Sequence, residues 1–426
     1  MTGRSFGARR RQRRAAALTV ATILGGRAFA QSIVDRPELV GFKTGGVVFA
    51  PSLTAGLGYD TNVLQEPENS VPPPSPDLVL TLQPAFLLTV PFSNSVFRLG
   101  DQLTYVDYSH TTQTNGKTSN DAAADLTLNF GSRDQLQLAA HNVSGVAQTI
   151  AFDPGGSLGF QGNAFQLHTE AVSLSRVVQG ARGYRLSLER NALRFDPDIS
   201  ANFYNYRGFD GEAAYVEPLS SNMLLSFGYL GSRYDQSYAD DPGTVSRTEN
   251  GDTLYGQIEG QLGPRQPFSV RLGWERLTFA GSGASEGGDF SGVIGDARLA
   301  VIVGGGTTFT FRAQRQPYRS YVPSNNYYVF DLIGGWVDRV FVGGSSVGGD
   351  IALSMNGYNQ PITTTGSGTS YYRQDKVVQL QAYGNLAVSK FVIFRMSLTR
   401  NRRYSNAPDA DYSNTVLFGG FVLGWI

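Results

Sequence analysis

Apolar and polar residues alternate along most of the chain, with the period of two that is typical of β-strands. The segments 125–130, 184–189 and 268–274 show this alternation clearly. In a strand, successive side chains point to opposite faces, so each segment predicts one apolar and one polar face. About 18 such segments follow one another, and the sequence therefore predicts an all-β protein.

The connections between these segments alternate in length. Short ones, such as 91–95, 131–134 and 304–306, separate long ones, such as 60–76, 235–252, 317–326 and 356–375. The long connection 144–162 is the candidate for folding inward. A soluble β-sandwich has no need to sort its connections by length, whereas a transmembrane barrel has short turns at one end and long loops at the other. We therefore predict an antiparallel up-and-down transmembrane β-barrel of about 18 strands, with 16 as the alternative.

The first 30 residues have the order of a secretory signal peptide. The arginines of 9–14 precede a short apolar stretch at 15–24, and Ala28-Phe29-Ala30 gives a small-x-small cleavage site. A twin-arginine leader is the alternative, but the motif expected after the arginine pair is missing. We expect residues 1–30 to be a signal peptide, 31–46 a periplasmic N-terminal segment and 47–426 the outer-membrane β-barrel.

Composition narrows the classes of function. The formal net charge is zero, but residues 1–30 hold seven arginines and no acid, so the rest of the chain is acidic and no nucleic acid is expected as a partner. The chain contains no cysteine, which excludes a disulfide framework and a cysteine-ligated metal.

Charged residues fall on the strand face that alternates with the apolar residues, and we predict that they line the interior of the barrel. Because both signs are present, the pattern predicts a hydrated interior crossed by salt bridges and not a ring of one charge. The predicted pore-lining residues are Arg98, Asp125, Glu170, Arg185, Glu189, Asp210, Glu212, Glu259, Arg271, Glu275, Asp296, Arg298, Arg312, Asp331, Asp350 and Arg395.

Candidate catalytic and metal-binding residues are few. Of the three histidines, His110 begins a long loop, whereas His141 and His168 are predicted to face the interior from adjacent strands. A hydrolase using those two histidines is the alternative, but no nucleophile motif accompanies them, and we favour polar lumen residues. The glycine runs at 304–306 and 343–349 lack the lysine ending of a phosphate loop. We therefore expect no enzyme activity, no cofactor and no metal.

Aromatic residues lie near many predicted strand ends, as in the two interfacial girdles of membrane barrels. The candidates are Tyr59, Tyr108, Tyr206, Tyr234, Trp274, Tyr327, Trp336 and Trp425.

Three short motifs add a resemblance: Gly58-Tyr59-Asp60-Thr61-Asn62 ends the first strand, Arg403-Tyr404-Ser405-Asn406 the penultimate one, and Asp411-Tyr412-Ser413-Asn414 opens the last. With the glycine- and aromatic-rich C-terminus, they resemble the beta-barrel porin 2 family of outer-membrane porins. The resemblance implies a barrel of 16 to 18 strands, with some relatives associated with the export of surface polysaccharide.

Two functions remain open on these grounds. The first is an outer-membrane channel that passes small polar solutes or assists export of a surface polysaccharide. The second is a plugged structural or assembly barrel whose outer loops bind a partner or surface polymer. The expected partners are outer-membrane lipid and the barrel-insertion machinery, with surface polysaccharide or its secretion machinery as a further candidate.

Overall fold

The fold is seen in a computed structural model, which describes residues 42–70, 73–110, 118–131, 133–145, 164–176, 182–196, 203–283, 288–320, 325–363, 370–407 and 410–424. The predicted signal peptide, most of the segment 31–46 and most of the loop 144–162 lie outside the described residues. Within these ranges, no helix is long and apolar enough to cross a membrane.

The described residues form strands joined into one antiparallel sheet. The strands are β1 (Phe42–Thr44), β2 (Val47–Asp60), β3 (Asp77–Phe92), β4 (Ser95–Tyr108), β5 (Thr118–Phe130), β6 (Asp134–Gly145), β7 (Phe165–Arg176), β8 (Gly183–Phe195), β9 (Tyr204–Ser220), β10 (Met223–Tyr238), β11 (Arg247–Gln261), β12 (Pro267–Ala280), β13 (Phe290–Val303), β14 (Thr307–Arg319), β15 (Tyr327–Val340), β16 (Ser346–Thr363), β17 (Ser370–Ser389), β18 (Val392–Ser405) and β19 (Tyr412–Gly424).

Each strand from β2 to β19 pairs with the next one along the chain, and β19 pairs with β2, which closes the ring. The prediction of an 18-stranded antiparallel barrel is therefore confirmed. The additional strand β1 pairs with Val47–Phe49 of β2, below the point where β19 ends at the pair Gly424 and Ser52. The sheet thus begins slightly before residue 47.

The two ends of the barrel differ as the sequence predicts, although some of the long connections are shorter than expected. At the short-turn end, Gly305 and Gly306 adopt positive φ angles of 80° and 81°, which only glycine accepts easily. At the long-loop end, the predicted loop 235–252 is largely strand, because β10 continues to Tyr238 and β11 begins at Arg247. The predicted loop 356–375 is likewise shortened by β16 and β17.

Contacts between strands that are not neighbours identify the inner face. Arg185 on β8 reaches Glu259 on β11, and Glu212 on β9 reaches Arg271 on β12. Side chains that pass over intervening strands in this way must lie on the concave side of a closed sheet. The pairing register then assigns every other residue of each strand as inward or outward.

The outward positions carry exposed apolar side chains across the middle of the barrel. Leu57, Leu254, Leu272 and Ile333 are each more than 60% exposed, although they are large hydrophobic residues. In a soluble protein such a continuous apolar surface is unusual. The outward band is the surface that a transmembrane barrel presents to lipid.

Arginine scanning at two adjacent positions tests this assignment. Met396 lies outward among Val392, Phe394 and Leu398, whereas its neighbour Ser397 faces inward. We expect Met396→Arg to reduce the free energy of unfolding in lipid by about 2–4 kcal/mol, and Ser397→Arg to reduce it by no more than about 1 kcal/mol. Urea titration of the refolded variants measures both, and the reverse order would show that the register is shifted by one residue.

Candidate functional site

The barrel interior is the candidate site, and most of the charged residues predicted from sequence lie on its surface. Fourteen of the sixteen predicted residues face inward according to the register. They are Arg98, Asp125, Arg185, Glu189, Asp210, Glu212, Glu259, Arg271, Glu275, Asp296, Arg298, Arg312, Asp350 and Arg395. That they line a conducting pore stays a prediction.

Asp331 faces outward, contrary to the sequence prediction. Tyr328, Phe330 and Leu332 are the apolar set of the same strand, so alternation alone predicts that they contact lipid, but they pack together inside the barrel. Asp331 alternates with them and therefore lies on the outer face, where it pairs with Arg315 at 2.7 Å.

Glu170 faces outward for the same reason. Phe165 and Leu167, on the same strand β7, belong to an inward apolar cluster, so the alternating residues His168 and Glu170 point outward. Glu170 pairs there with Arg190 at 3.2 Å. The prediction that His168 shares the lumen with His141 is therefore also wrong.

A network of ion pairs lines the wall formed by β8 to β12. Arg185 pairs with Glu259, which also accepts a hydrogen bond of 2.6 Å from Gln257. Arg271 pairs with Glu212 at 3.5 Å, and its guanidinium lies 4.1 Å from the centre of the Tyr255 ring. These ion pairs compensate part of the charge on this wall.

Arg247 joins several strands and loop segments at the long-loop end of the barrel. Its side chain is fully buried, and the guanidinium donates hydrogen bonds to the backbone oxygens of Ser320 and Asn325, both at 2.7 Å, and to the side chain of Gln236. The same group lies 4.4 Å from the centre of the Tyr204 ring. Because Ser320 and Asn325 follow β14, one side chain on β11 joins segments that lie three strands apart.

Arg319 makes a second arginine–aromatic contact beside Arg247. It forms a bidentate pair with Glu249, at 3.0 and 3.1 Å, and stacks over the ring of Tyr234 at 3.5 Å. The hydroxyl of Tyr234 donates in turn to Asp210. The inner wall between β9 and β14 is therefore filled by paired charges and aromatic rings near the long-loop end.

Two apolar clusters occupy the interior at the same end. The first includes Val143, Phe165, Leu193 and Tyr206, and the second is formed by Tyr328, Phe330 and Tyr358. Several girdle candidates face the interior of the barrel and not the lipid surface. Tyr108, Tyr206, Tyr234 and Trp336 face inward; Tyr59 and Trp274 face outward, Tyr327 packs against Phe279 and Phe290, and Trp425 lies outside the described residues.

Asp375 is the centre of a third buried cluster. Its carboxylate is 1% exposed and accepts hydrogen bonds from Arg373 at 2.7 Å, from the Ser405 hydroxyl at 2.6 Å and from the Tyr358 hydroxyl at 3.3 Å. The cluster joins β16, β17 and β18 at the long-loop end.

Sequence reasoning missed Arg247, Arg319 and Asp375 because each fell in a segment predicted to be a loop. The signal that could have identified Arg247 is the alternation itself. Arg247, Glu249 and Thr253 continue, without interruption, the inward set that includes Tyr255 and Glu259. The prediction of strand ends depends on apolar residues at the outward positions. Where charged residues take those positions, the end of the strand is mistaken for a loop.

Two inward carboxylates are not engaged in such networks. Asp338 on β15 and Asp350 on β16 are diagonal neighbours on the inner face, since Asp350 lies opposite Trp336 and Asp338 opposite Gly348. Neither makes an ion pair or side-chain hydrogen bond within the described part of the chain. They leave negative charge near the short-turn end of the lumen.

The histidines are separated from one another. His141 faces inward and lies 2.8 Å from Asp121, whereas His110 lies beside Asp77 at the edge of a loop. Among the described residues, no group of three or more histidine, aspartate or glutamate side chains is arranged to hold a metal ion.

Three solved structures illustrate what the chain is similar to. The Pseudomonas aeruginosa protein OccK2 (OpdF), solved with glucuronate, is 13% identical with a TM-score of 0.47, covering 89% of this chain and 98% of its own. The outer membrane protein opdK from the same species is 9% identical, with a TM-score of 0.46 over 88% and 98%. The siderophore receptor PirA, also from that species, is 9% identical, with a TM-score of 0.43 over 89% and 80%.

No protein-family model matches the sequence, and no curated protein matches it either. Membership of the beta-barrel porin 2 family therefore stays an expectation.

Two arginines on β8 test the energetic difference between the faces. Arg185 and Glu259 are 11% and 8% exposed, whereas Arg190 and Glu170 are 55% and 62% exposed. We expect Arg185→Met to cost about 2 kcal/mol or more, because it leaves Glu259 buried without its cation, and Arg190→Met to cost about 0–1 kcal/mol.

Urea unfolding in lipid measures both effects. The double variant Arg185→Met/Glu259→Gln should recover part of the stability that the single variant loses, because no charge is then left unpaired. Equal losses at Arg185 and Arg190 would contradict the assignment of the inner face.

Proposed function

We propose that the protein is an outer-membrane barrel that passes small polar solutes through its lumen. One observation carries the proposal: the sheet closes on itself with an apolar outer band and a charged inner surface. An apolar exterior suits lipid, and closure leaves no unpaired strand edge within it. A barrel of about 18 strands is wide enough for an aqueous path unless its interior is filled.

The leader and the topology extend this proposal. Export by a signal peptide over residues 1–30 and assembly by the barrel-insertion machinery would place the short turns in the periplasm and the long loops outside. A narrower form of the proposal is a role in the export of a surface polysaccharide. Loss of that polysaccharide from a strain lacking the protein would support it.

A plugged barrel is the second candidate, and the contacts of Arg247 favour it. Because that side chain is fully buried and holds Ser320 and Asn325 against β11, it thickens the wall at the long-loop end. In this form the protein would act through its outer loops, by binding a partner or a surface polymer.

Epitope insertion tests the topology. We expect an epitope between Pro242 and Gly243, in the exposed loop between β10 and β11, to be labelled on intact cells. An epitope between Gly305 and Gly306 should be labelled only after the outer membrane is permeabilised. The opposite labelling pattern would show that the barrel has the inverse orientation in the membrane.

Current through a planar bilayer tests the channel. We expect the purified, refolded protein to give a stable conductance that favours cations slightly, because Asp338 and Asp350 leave negative charge on the inner wall. The variant Asp338→Asn/Asp350→Asn should move the reversal potential towards that of anions without abolishing the current. Asp331→Asn, on the outer face of the same strand, is the matched control and should leave the reversal potential unchanged.

An inserted protein that passes no current would contradict the open channel and support the plugged barrel. Arg247→Ala distinguishes the open channel from the plugged barrel further, because it removes the contacts that hold Ser320 and Asn325 inward. A current that appears only in this variant would identify that contact as the plug.

A further inference from the structure

The outward surface of β16 to β19 combines an apolar band with three cations. Below, towards the short-turn end, lie exposed side chains such as Leu398, Met396 and Leu417. Directly above them, towards the long-loop end, the outward positions are occupied by Lys376, Arg400 and Arg402. We call these three residues the basic patch.

The basic patch differs from the outward cations Arg190, Arg276 and Arg315 because it lacks neighbouring acids on the same face of the sheet. Arg190 has Glu170 at 3.2 Å, Arg315 has Asp331 at 2.7 Å, and Arg276 lies opposite Asp252 in the register. By contrast, the outward positions of the described strands β16, β17, β18 and β19 contain no aspartate or glutamate.

The contacts of the basic patch leave its charge largely uncompensated. Within the described residues, Lys376 and Arg400 make no ion pair or hydrogen bond through their side chains. Arg402 lies 3.9 Å from Glu68, in a pair whose side chains are 42% and 50% exposed, and 4.7 Å from the centre of the Tyr404 ring. An exposed pair of this length contributes little and is easily exchanged for another anion.

The position of the basic patch identifies the kind of anion. In the register, Lys376 lies beside Met355 and Arg400 beside Leu380, both exposed apolar residues of the lipid-facing band. A ligand held here must therefore contact apolar surface and cations together. The planar guanidinium of arginine can donate two parallel hydrogen bonds to phosphate oxygens. Long cationic side chains can also extend from an apolar surface to the headgroup layer.

We propose that the basic patch binds the phosphorylated headgroup of a membrane lipid in the leaflet on the long-loop side. The phosphate contacts Arg400, Arg402 and Lys376, while the acyl chains lie along Leu380, Leu398 and Leu417. This inference rests on the proposed placement of the barrel in a membrane, but it does not depend on whether the lumen conducts.

A triple variant tests the inference against a matched control. Lys376→Gln/Arg400→Gln/Arg402→Gln removes three cations from the basic patch, and Arg190→Gln/Arg276→Gln/Arg315→Gln removes three outward cations that have acids nearby. Each protein is refolded in phosphatidylcholine nanodiscs with or without phosphatidic acid, and the phosphatidic acid retained after detergent extraction is counted by native mass spectrometry.

We expect the patch variant to retain phosphatidic acid at least about tenfold less tightly than the unmodified protein, and the control to change little, because each cation near an anionic surface contributes separately. Equal losses in the two variants would overturn the inference. Saturation by inorganic phosphate alone, at the same phosphate concentration, would also overturn it, since the lipid chains would then be irrelevant.

Glu68→Gln gives an independent measurement if the triple variant fails to fold. It removes an exposed loop carboxylate beside Arg402 and should strengthen retention, by about twofold or more. Unchanged or weaker retention would contradict the inference. Conductance of the unmodified protein is recorded in parallel, so that loss of lipid binding with normal current rejects the lipid site alone, whereas lipid retention without current rejects only the open channel.

Discussion

Closure of the sheet between β19 and β2 is the constraint on which the rest of the structure depends. The two strands pair without a break from Val416 and Asp60 to Gly424 and Ser52, although they lie at opposite ends of the described chain. Glycine makes this close approach feasible: a Cβ on Gly56 would lie 2.4 Å from the ring of Phe418. Once the ring closes, the strand period of two becomes a division between inside and outside, and every strand must obey the same division. The short strand β1 then covers the part of β2 that β19 does not reach.

Closure also explains why the most deeply buried charges of the interior are paired. A charge enclosed by the wall loses much of its contact with water, so it is stable only beside an opposite charge or several hydrogen-bond donors. Arg185 with Glu259, Arg319 with Glu249 and Arg373 with Asp375 follow this rule. The same pairing makes the wall rigid, because each pair joins strands or turns that would otherwise be linked only through the backbone ladder. The interior near the long loops is therefore as much a structural core as a surface for solutes.

The sequence was sufficient for the barrel but not for the whole of its interior. Strand number, antiparallel order and the inward position of residues such as Arg271 and Asp296 follow from alternation and connection length, which are local properties. The errors at Glu170 and Asp331 have one cause. Alternation separates two faces without saying which is inside. Apolar residues on β7 and β15 favour the wrong choice because they are buried in the interior clusters. The contacts of Arg247 could not be predicted, although alternation marks it as inward, because its partners Ser320 and Asn325 are remote in sequence and meet it only after closure.

Cations on the two faces therefore have different surroundings for a physical reason. Inside, buried arginines such as Arg185 and Arg319 have acids of the same chain as partners. Outside, above the apolar band, the headgroup layer can supply it, and an unpaired arginine costs little because its side chain reaches water or phosphate. Both Arg400 and Arg185 lie on strands of the barrel. Arg400 is exposed without an acid beside it, whereas Arg185 is buried against Glu259. The two arginines thus show how the surroundings of a cation differ between the enclosed face and the exposed face of one sheet.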